Sequence, residues 1–222
     1  MAKGLFVTGT GTDIGKTYVT GLLVKKMRDA GYPAGYYKAA VSGADSLEAS
    51  DAGWVNHFAG IRETDELLLS YLYKTAVSPH LASRLEGNPL QKDRVLHDYE
   101  HTGASYPYVT VEGSGGIICP LRYDQQAHYF LEDVIKWLHL PAVVVSRSGL
   151  GSINDAVLTV FYMVQKGIPV EGILMNHYRG GVMEEDNVRM IENITGKKVL
   201  ALIRDGDREL DMDPHVLEKL YR

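Results

Sequence analysis

The 222-residue sequence predicts an α/β domain in which a mostly parallel sheet carries helices on both faces. Two observations predict it. Short apolar, β-branched runs such as Val143-Val144-Val145 alternate with longer segments of helical period. The chain, 45% hydrophobic and 23% charged, suffices for one large core but not for two, and no linker, repeat or low-complexity tract divides it. One domain over residues 1–222 is therefore expected.

Strands are expected at 4–9, 34–39, 107–112, 141–146, 170–175 and 198–203. After the first, Val19, Leu22, Leu23, Met27 and Ala30 recur at the spacing of one helix face; Ile153, Ala156, Val157, Val160 and Val164 do so after the fourth. Gly31-Tyr32-Pro33 and Gly167-Ile168-Pro169 end these helices, because glycine takes a left-handed cap and proline cannot continue the helix. From about 41 to 106 the pattern is less regular, and Pro79 in Ser78-Pro79-His80 reads as a helix start.

Composition excludes several classes. A net charge of −5 argues against a nucleic-acid surface while leaving room for a local basic pocket. Cys119 stands alone, so no intramolecular disulfide forms, and its expected role is that of a small apolar residue beside Pro120. The eight histidines, His80 among them, fall in no metal-ligand spacing. Met1-Ala2-Lys3 runs directly into a strand without a signal pattern, and no stretch of about 18 apolar residues occurs. These features predict a cytoplasmic protein without nucleic-acid or membrane partners.

The chemistry concentrates at Thr8-Gly9-Thr10-Gly11-Thr12-Asp13-Ile14-Gly15-Lys16-Thr17, between the first strand and the first helix. Glycines let backbone N–H groups wrap a polyphosphate, Lys16 reaches the outer phosphates, and the Thr17 hydroxyl can ligate magnesium. Thr10 stands where the strict phosphate-loop pattern has its first glycine. Lys16-Thr17 at the start of the helix suits a phosphate terminus with a metal better than a dinucleotide. Lys38 ends the second strand, with Ser42 close behind, and Glu112 ends the third before Gly113-Ser114-Gly115-Gly116. In a parallel sheet these ends share the edge that holds the phosphate loop. Glu112 has the position of a magnesium-binding carboxylate. Spacing leaves Asp51 equally readable as a helix N-cap and Lys38 equally readable as a surface cation.

Taken together, the loop from Gly9 to Thr17, Gly35-Tyr36-Tyr37-Lys38 with Ser42-Gly43, Ser50-Asp51-Ala52, Ser78-Pro79-His80, Val111-Glu112-Gly113-Ser114-Gly115-Gly116 and Gly149-Leu150-Gly151-Ser152-Ile153-Asn154 resemble the dethiobiotin synthetase family of P-loop NTPases in order and spacing. The match covers about residues 4 to 180. The resemblance implies an ATP-dependent ligase of biotin biosynthesis: 7,8-diaminononanoate and carbon dioxide give a carbamate, ATP phosphorylates it, and the second amine closes the ureido ring with release of ADP and phosphate.

Carried onto this sequence, the resemblance puts Gly11, Thr12, Asp13, Ile14, Gly15, Lys16, Thr17, Tyr18, Glu112, Gly115 and Asn176 at the nucleotide, Asn176 reading the adenine edge. Thr17, Asp51 and Glu112 would surround Mg2+; Lys16, Lys38 and Thr12 would act on the transferring phosphoryl group, and Ser42 would contact the carbamate. A homodimer is implied, in which Gly149, Leu150, Gly151, Ser152 and Ile153 receive the substrate carboxylate from the other subunit. Two departures stand out: Asp13 replaces a glutamate, and Ile203 is followed by Arg204 rather than proline. The alternative of a partner- or membrane-positioning ATPase of similar fold meets the absence of an additional lysine at residues 10 to 14. Another alternative, a ligase that amidates a corrinoid carboxylate, lacks its glutamine-hydrolysing domain here.

Overall fold

A computed structural model describes residues 2–222. In chain order its elements are β1 (Lys3–Gly9), α1 (Lys16–Asp29), β2 (Ala34–Ser42), α2 (Asp51–Phe58), a 3-10 turn (Asp65–Leu67), β3 (Leu69–Tyr73), α3 (Pro79–Leu85) and α4 (Lys92–Ser105). There follow β4 (Tyr108–Glu112), β5 (Pro120–Tyr123), β6 (His128–Phe130), α5 (Leu131–Trp137), β7 (Ala142–Arg147), α6 (Ser152–Gln165), β8 (Val170–Asn176), α7 (Val182–Thr195), β9 (Val199–Leu202) and α8 (Pro214–Glu218).

Seven strands form one sheet in the order β3-β2-β4-β1-β7-β8-β9, and every neighbouring pair is parallel. Strand alternation sends successive side chains to opposite faces. Leu5 and Val7 of β1 and Val143 and Val145 of β7 pack with Val19, Leu22 and Leu23 of α1 on one face, whereas Phe6 and Val144 pack with Ala156 and Val160 of α6 on the other. These side chains are essentially inaccessible, and full burial of a valine or leucine contributes about 1.5–3 kcal/mol. The central strands therefore read as continuous apolar runs.

All six expected strands are present, with ends at most three residues from those expected. The largest shift is in β2, which runs on to Ser42 because β3 pairs beside it as far as Ser42 opposite Tyr73. β3 itself lies in the stretch that looked irregular, where Ser70 and four aromatic or leucine neighbours blur the alternation. The antiparallel β5–β6 hairpin was likewise not anticipated.

Gly31 and Gly167 take left-handed conformations after their helices, with φ of 85° and 72°. Pro79 begins α3. Two residues assigned to core stripes face outward instead: Ala30 lies at the exposed C-cap of α1, and Val164 is 54% exposed while Met163 fills the core. Near the C-terminus, Leu217, Leu220 and Tyr221 are buried, and Gly4 and Arg222 exchange backbone hydrogen bonds of 2.8 and 3.2 Å. Among the described residues no helix is long and apolar enough to cross a membrane.

Candidate active site

The sheet order determines which strand ends meet. β1 is central, with β4 and then β2 on one side and β7 and then β8 on the other. The loop leaving β1 therefore runs along the carboxyl edge between the two groups, where open α/β sheets bind ligands. Gly15 takes φ 83° immediately before α1, and a Cβ there would stand 2.1 Å from Asn176 Nδ2. Only glycine allows the helix N-terminus to open toward the pocket in this way. The Asp13 backbone is also left-handed, at φ 54°, and its carbonyl accepts a 2.6 Å hydrogen bond from Arg147 Nη2.

A pocket of about 720 Å³ opens over this loop. Thr12, Asp13, Gly15, Lys16 and Thr17 line one wall, and Lys38, Ser42, Asp51, Glu112 and Gly115 line another. Parallel pairing sets Lys38 directly opposite Glu112, which places an ammonium and a carboxylate side by side. Lys38 Nζ donates to Glu112 Oε1 at 2.9 Å and to Asp51 Oδ2 at 2.6 Å. The Thr17 hydroxyl donates to the same Glu112 Oε1 at 2.8 Å, and Tyr36 donates from the opposite side to Oε2 at 2.9 Å.

Both open readings of Lys38 and Asp51 are thereby decided. Lys38 is buried, its side chain 4% exposed, so it is no surface cation. Burial alone would lower its pKa, but the Glu112 and Asp51 carboxylates outweigh burial and hold it above the usual lysine value. The N-cap of α2 is Ser50, whose hydroxyl accepts from the Gly53 N–H at 3.1 Å. Asp51 is the first helical residue, and it keeps its carboxylate for Lys38. Burial would raise the Asp51 pKa, and Lys38 reverses that to a net lowering. Glu112 is no solvated strand end either, since its side chain has no exposure.

Lys16 Nζ donates to the Gly11 carbonyl at 2.8 Å, and burial depresses its pKa. Cys119 also lines the pocket, where burial raises its thiol to about 11 and keeps it protonated at neutral pH. This environment suits the small apolar role expected of Cys119.

Other expected site residues lie behind or beside the pocket. Ile14 is buried, and Asn176 Nδ2 donates to its carbonyl at 2.9 Å while Asn176 Oδ1 is buried without a partner. Tyr18 points away from the phosphate loop, its hydroxyl donating to the Asp207 carbonyl. Gly149, Leu150, Gly151, Ser152 and Ile153 do not line the pocket. They form the turn from β7 into α6, with Leu150 95% exposed and the Ser152 hydroxyl donating to the Ser148 carbonyl at 3.3 Å.

Sequence reasoning gave no role to Tyr36, Ser114 or Arg147. Tyr36 was findable, because it shares a strand face with Lys38 two residues on. Ser114 donates to the Ala40 carbonyl at 2.7 Å and ties the Glu112 loop to β2. No local pattern announces that contact, which joins residues 74 apart.

A family model described as an AAA domain matches residues 3–207. The solved MinC:MinD cell division protein complex of Aquifex aeolicus superposes with a TM-score of 0.59 over 93% of this chain and 83% of its own, at 13% identity, a likeness of fold alone. A protein of Clostridium botulinum (strain Eklund 17B / Type B) named ATP-dependent dethiobiotin synthetase BioD is 45% identical across 100% of this chain and 99% of its own length. One of the same name from Brachyspira hyodysenteriae is 47% identical over 212 residues, 95% of this chain and 96% of its own length. On these matches the chain belongs to the ATP-dependent dethiobiotin synthetase family.

Proposed function

We propose that this chain converts 7,8-diaminononanoate and carbon dioxide to dethiobiotin at the cost of ATP, with the chemistry in the pocket above the phosphate loop. The observation that carries the reading is the buried Lys38 bridged to Asp51 and Glu112 beside Lys16 and Thr17. It concentrates cations and hard oxygen donors where a phosphoryl group would pass.

One amine of the substrate adds to carbon dioxide and loses a proton, giving a carbamate. A carbamate oxygen attacks the γ-phosphorus of ATP, and ADP leaves. The second amine attacks the carbamoyl carbon, phosphate departs with the C–O electron pair and takes up the amine's proton, and the ring closes. No enzyme nucleophile is required, so positioning and neutralisation of charge supply the rate. Lys16 exchanges the Gly11 carbonyl for the outer phosphates. Lys38, kept protonated by its partners, stabilises the carbamate oxygen and the equatorial oxygens of the phosphoryl group, with Thr12 and Ser42 donating beside it.

Magnesium fits the donor set of this pocket. The Thr17 hydroxyl and the Asp51 and Glu112 carboxylates are hard oxygen ligands that all line this pocket, Thr17 in contact with Glu112, and such a site needs only one or two carboxylates because phosphates complete the shell. When bound it would supply charge neutralisation between the phosphates. The unpartnered Asn176 Oδ1 supports a base contact, an acceptor suited to the exocyclic amine of adenine. Its Nδ2 remains on the Ile14 carbonyl.

A homodimer is part of the proposal. Leu150, Leu158, Phe161 and Val164 are all 46% or more exposed around α6, with Val182 and Met183 on neighbouring α7, an apolar surface that a second copy would cover. That arrangement would bring the Gly149–Ile153 turn of one subunit to the substrate of the other.

Magnesium-dependent ADP release, measured with diaminononanoate and bicarbonate separately and together, tests the reading, with mass spectrometry for dethiobiotin. Release that requires both and yields the ring supports it. Release indifferent to both, or dependent on lipid or a protein partner, would replace it with the positioning ATPase.

A further inference from the structure

The Glu112 carboxylate has two oxygens with different surroundings. Oε1 faces the Thr17 hydroxyl and Lys38 Nζ at 2.8 and 2.9 Å. Oε2 receives one donor, the Tyr36 hydroxyl at 2.9 Å. Tyr36 is fully buried, as is the Glu112 side chain, so water does not substitute for that bond. The contact follows from the register: Tyr36 is opposite Thr110 and Lys38 is opposite Glu112, so the tyrosine reaches forward along the strand to the carboxylate two positions on.

We infer that Tyr36 is a positioning residue for the metal, holding Glu112 Oε2 so that Oε1 alone is presented to the cation and its phosphates. The inference rests on the proposed role of Glu112 as a magnesium ligand. A carboxylate free to rotate in this cavity could chelate through both oxygens or turn Oε1 toward Lys38 alone. The tyrosine removes both options by occupying one oxygen. Outer hydrogen-bond partners of ligating carboxylates orient the ligand in this way, and their loss typically costs 10- to 100-fold in metal affinity.

The test measures calorimetrically the affinity for a non-hydrolysable ATP analogue with Mn2+ and again in EDTA. The ratio isolates the metal's contribution from that of the nucleotide. Tyr36→Phe keeps the ring in place and removes the hydroxyl. It is expected to lower the ratio about tenfold and leave metal-free affinity unchanged. Tyr221→Phe is the control, since Tyr221 is buried too and its hydroxyl bonds Thr110 Oγ1 at 2.7 Å away from the pocket. That variant should lose stability while keeping the wild-type ratio.

Glu112→Gln separates the two layers of the argument. If it leaves the ratio intact, the ligand reading of Glu112 fails and the inference with it. If it collapses the ratio but Tyr36→Phe does not alter it, Tyr36 is structural and the inference alone is overturned. An equal fall in Tyr36→Phe and Tyr221→Phe would overturn it as well, by showing general loosening of the core.

Discussion

Lys38 shows how a single residue acquires a role from its neighbours. An ammonium withdrawn from water costs several kcal/mol unless carboxylates meet it with good geometry, and Asp51 and Glu112 do so at 2.6 and 2.9 Å. The pairing keeps the charge on at neutral pH and aims it into the pocket. Lys38→Ala should therefore lower kcat by about 100-fold or more, the usual loss for a donor to developing charge. ATP affinity, from a fluorescence titration, should change by less than about threefold, because the lost contact is made in the transition state. Lys16→Ala should behave differently, weakening nucleotide affinity together with turnover. Near-normal turnover in Lys38→Ala would remove that residue from the mechanism.

At the scale of elements, the turn between β1 and α1 is the most constrained. Gly15 combines a left-handed backbone with a Cβ position already taken by Asn176. Gly15→Ala adds on the order of 1–2 kcal/mol of backbone strain before the clash is counted. Its melting temperature should fall by at least about 3 °C and nucleotide binding should weaken, both read by calorimetry with and without ATP. The β5–β6 hairpin depends instead on Asp124. The Arg122 guanidinium, followed by the backbone N–H groups of Gln126 and Ala127, holds this carboxyl down at about 2. A folded pKa below the unfolded one means the stabilisation is complete above the ordinary carboxylate range, about 4, and drains away as pH falls toward about 2. The stability gap between wild type and Asp124→Asn in urea titrations should thus be widest near neutrality and close with acid. A gap that does not depend on pH would show that Asp124 acts by shape alone.

At the scale of the whole molecule, the proposed homodimer would be held by the exposed apolar surface around α6. Phe161→Glu places a charge on a residue 46% exposed and far from the phosphate loop in the chain. If the proposed dimer forms there, this variant should be monomeric in sedimentation, turn over at least about tenfold more slowly and keep its nucleotide affinity, since in the proposal only the substrate carboxylate depends on the second copy. A monomeric wild type, or a monomeric variant with full turnover, would confine the whole site to one subunit.

Local sequence patterns alone determined the α/β architecture, the six principal strands and the phosphate loop. Each of these depends on short-range chemistry: apolar runs, glycines with left-handed φ, and a Gly-Lys-Thr junction at a helix start. Resemblance then added Asp51, Lys38 and Asn176, which spacing left ambiguous or silent. Only tertiary structure decided that Ser50 rather than Asp51 caps α2, that Lys38 is buried, and that Tyr36 holds Glu112. It also decided that Ala30 and Val164 leave the core and that Leu69–Tyr73 becomes an edge strand. The physical reason is common to all of these. A side chain's charge partners and burial depend on which strand lies beside it, and the β3-β2-β4-β1 order brings together residues far apart in the chain, such as Thr17 and Glu112, which are 95 residues apart.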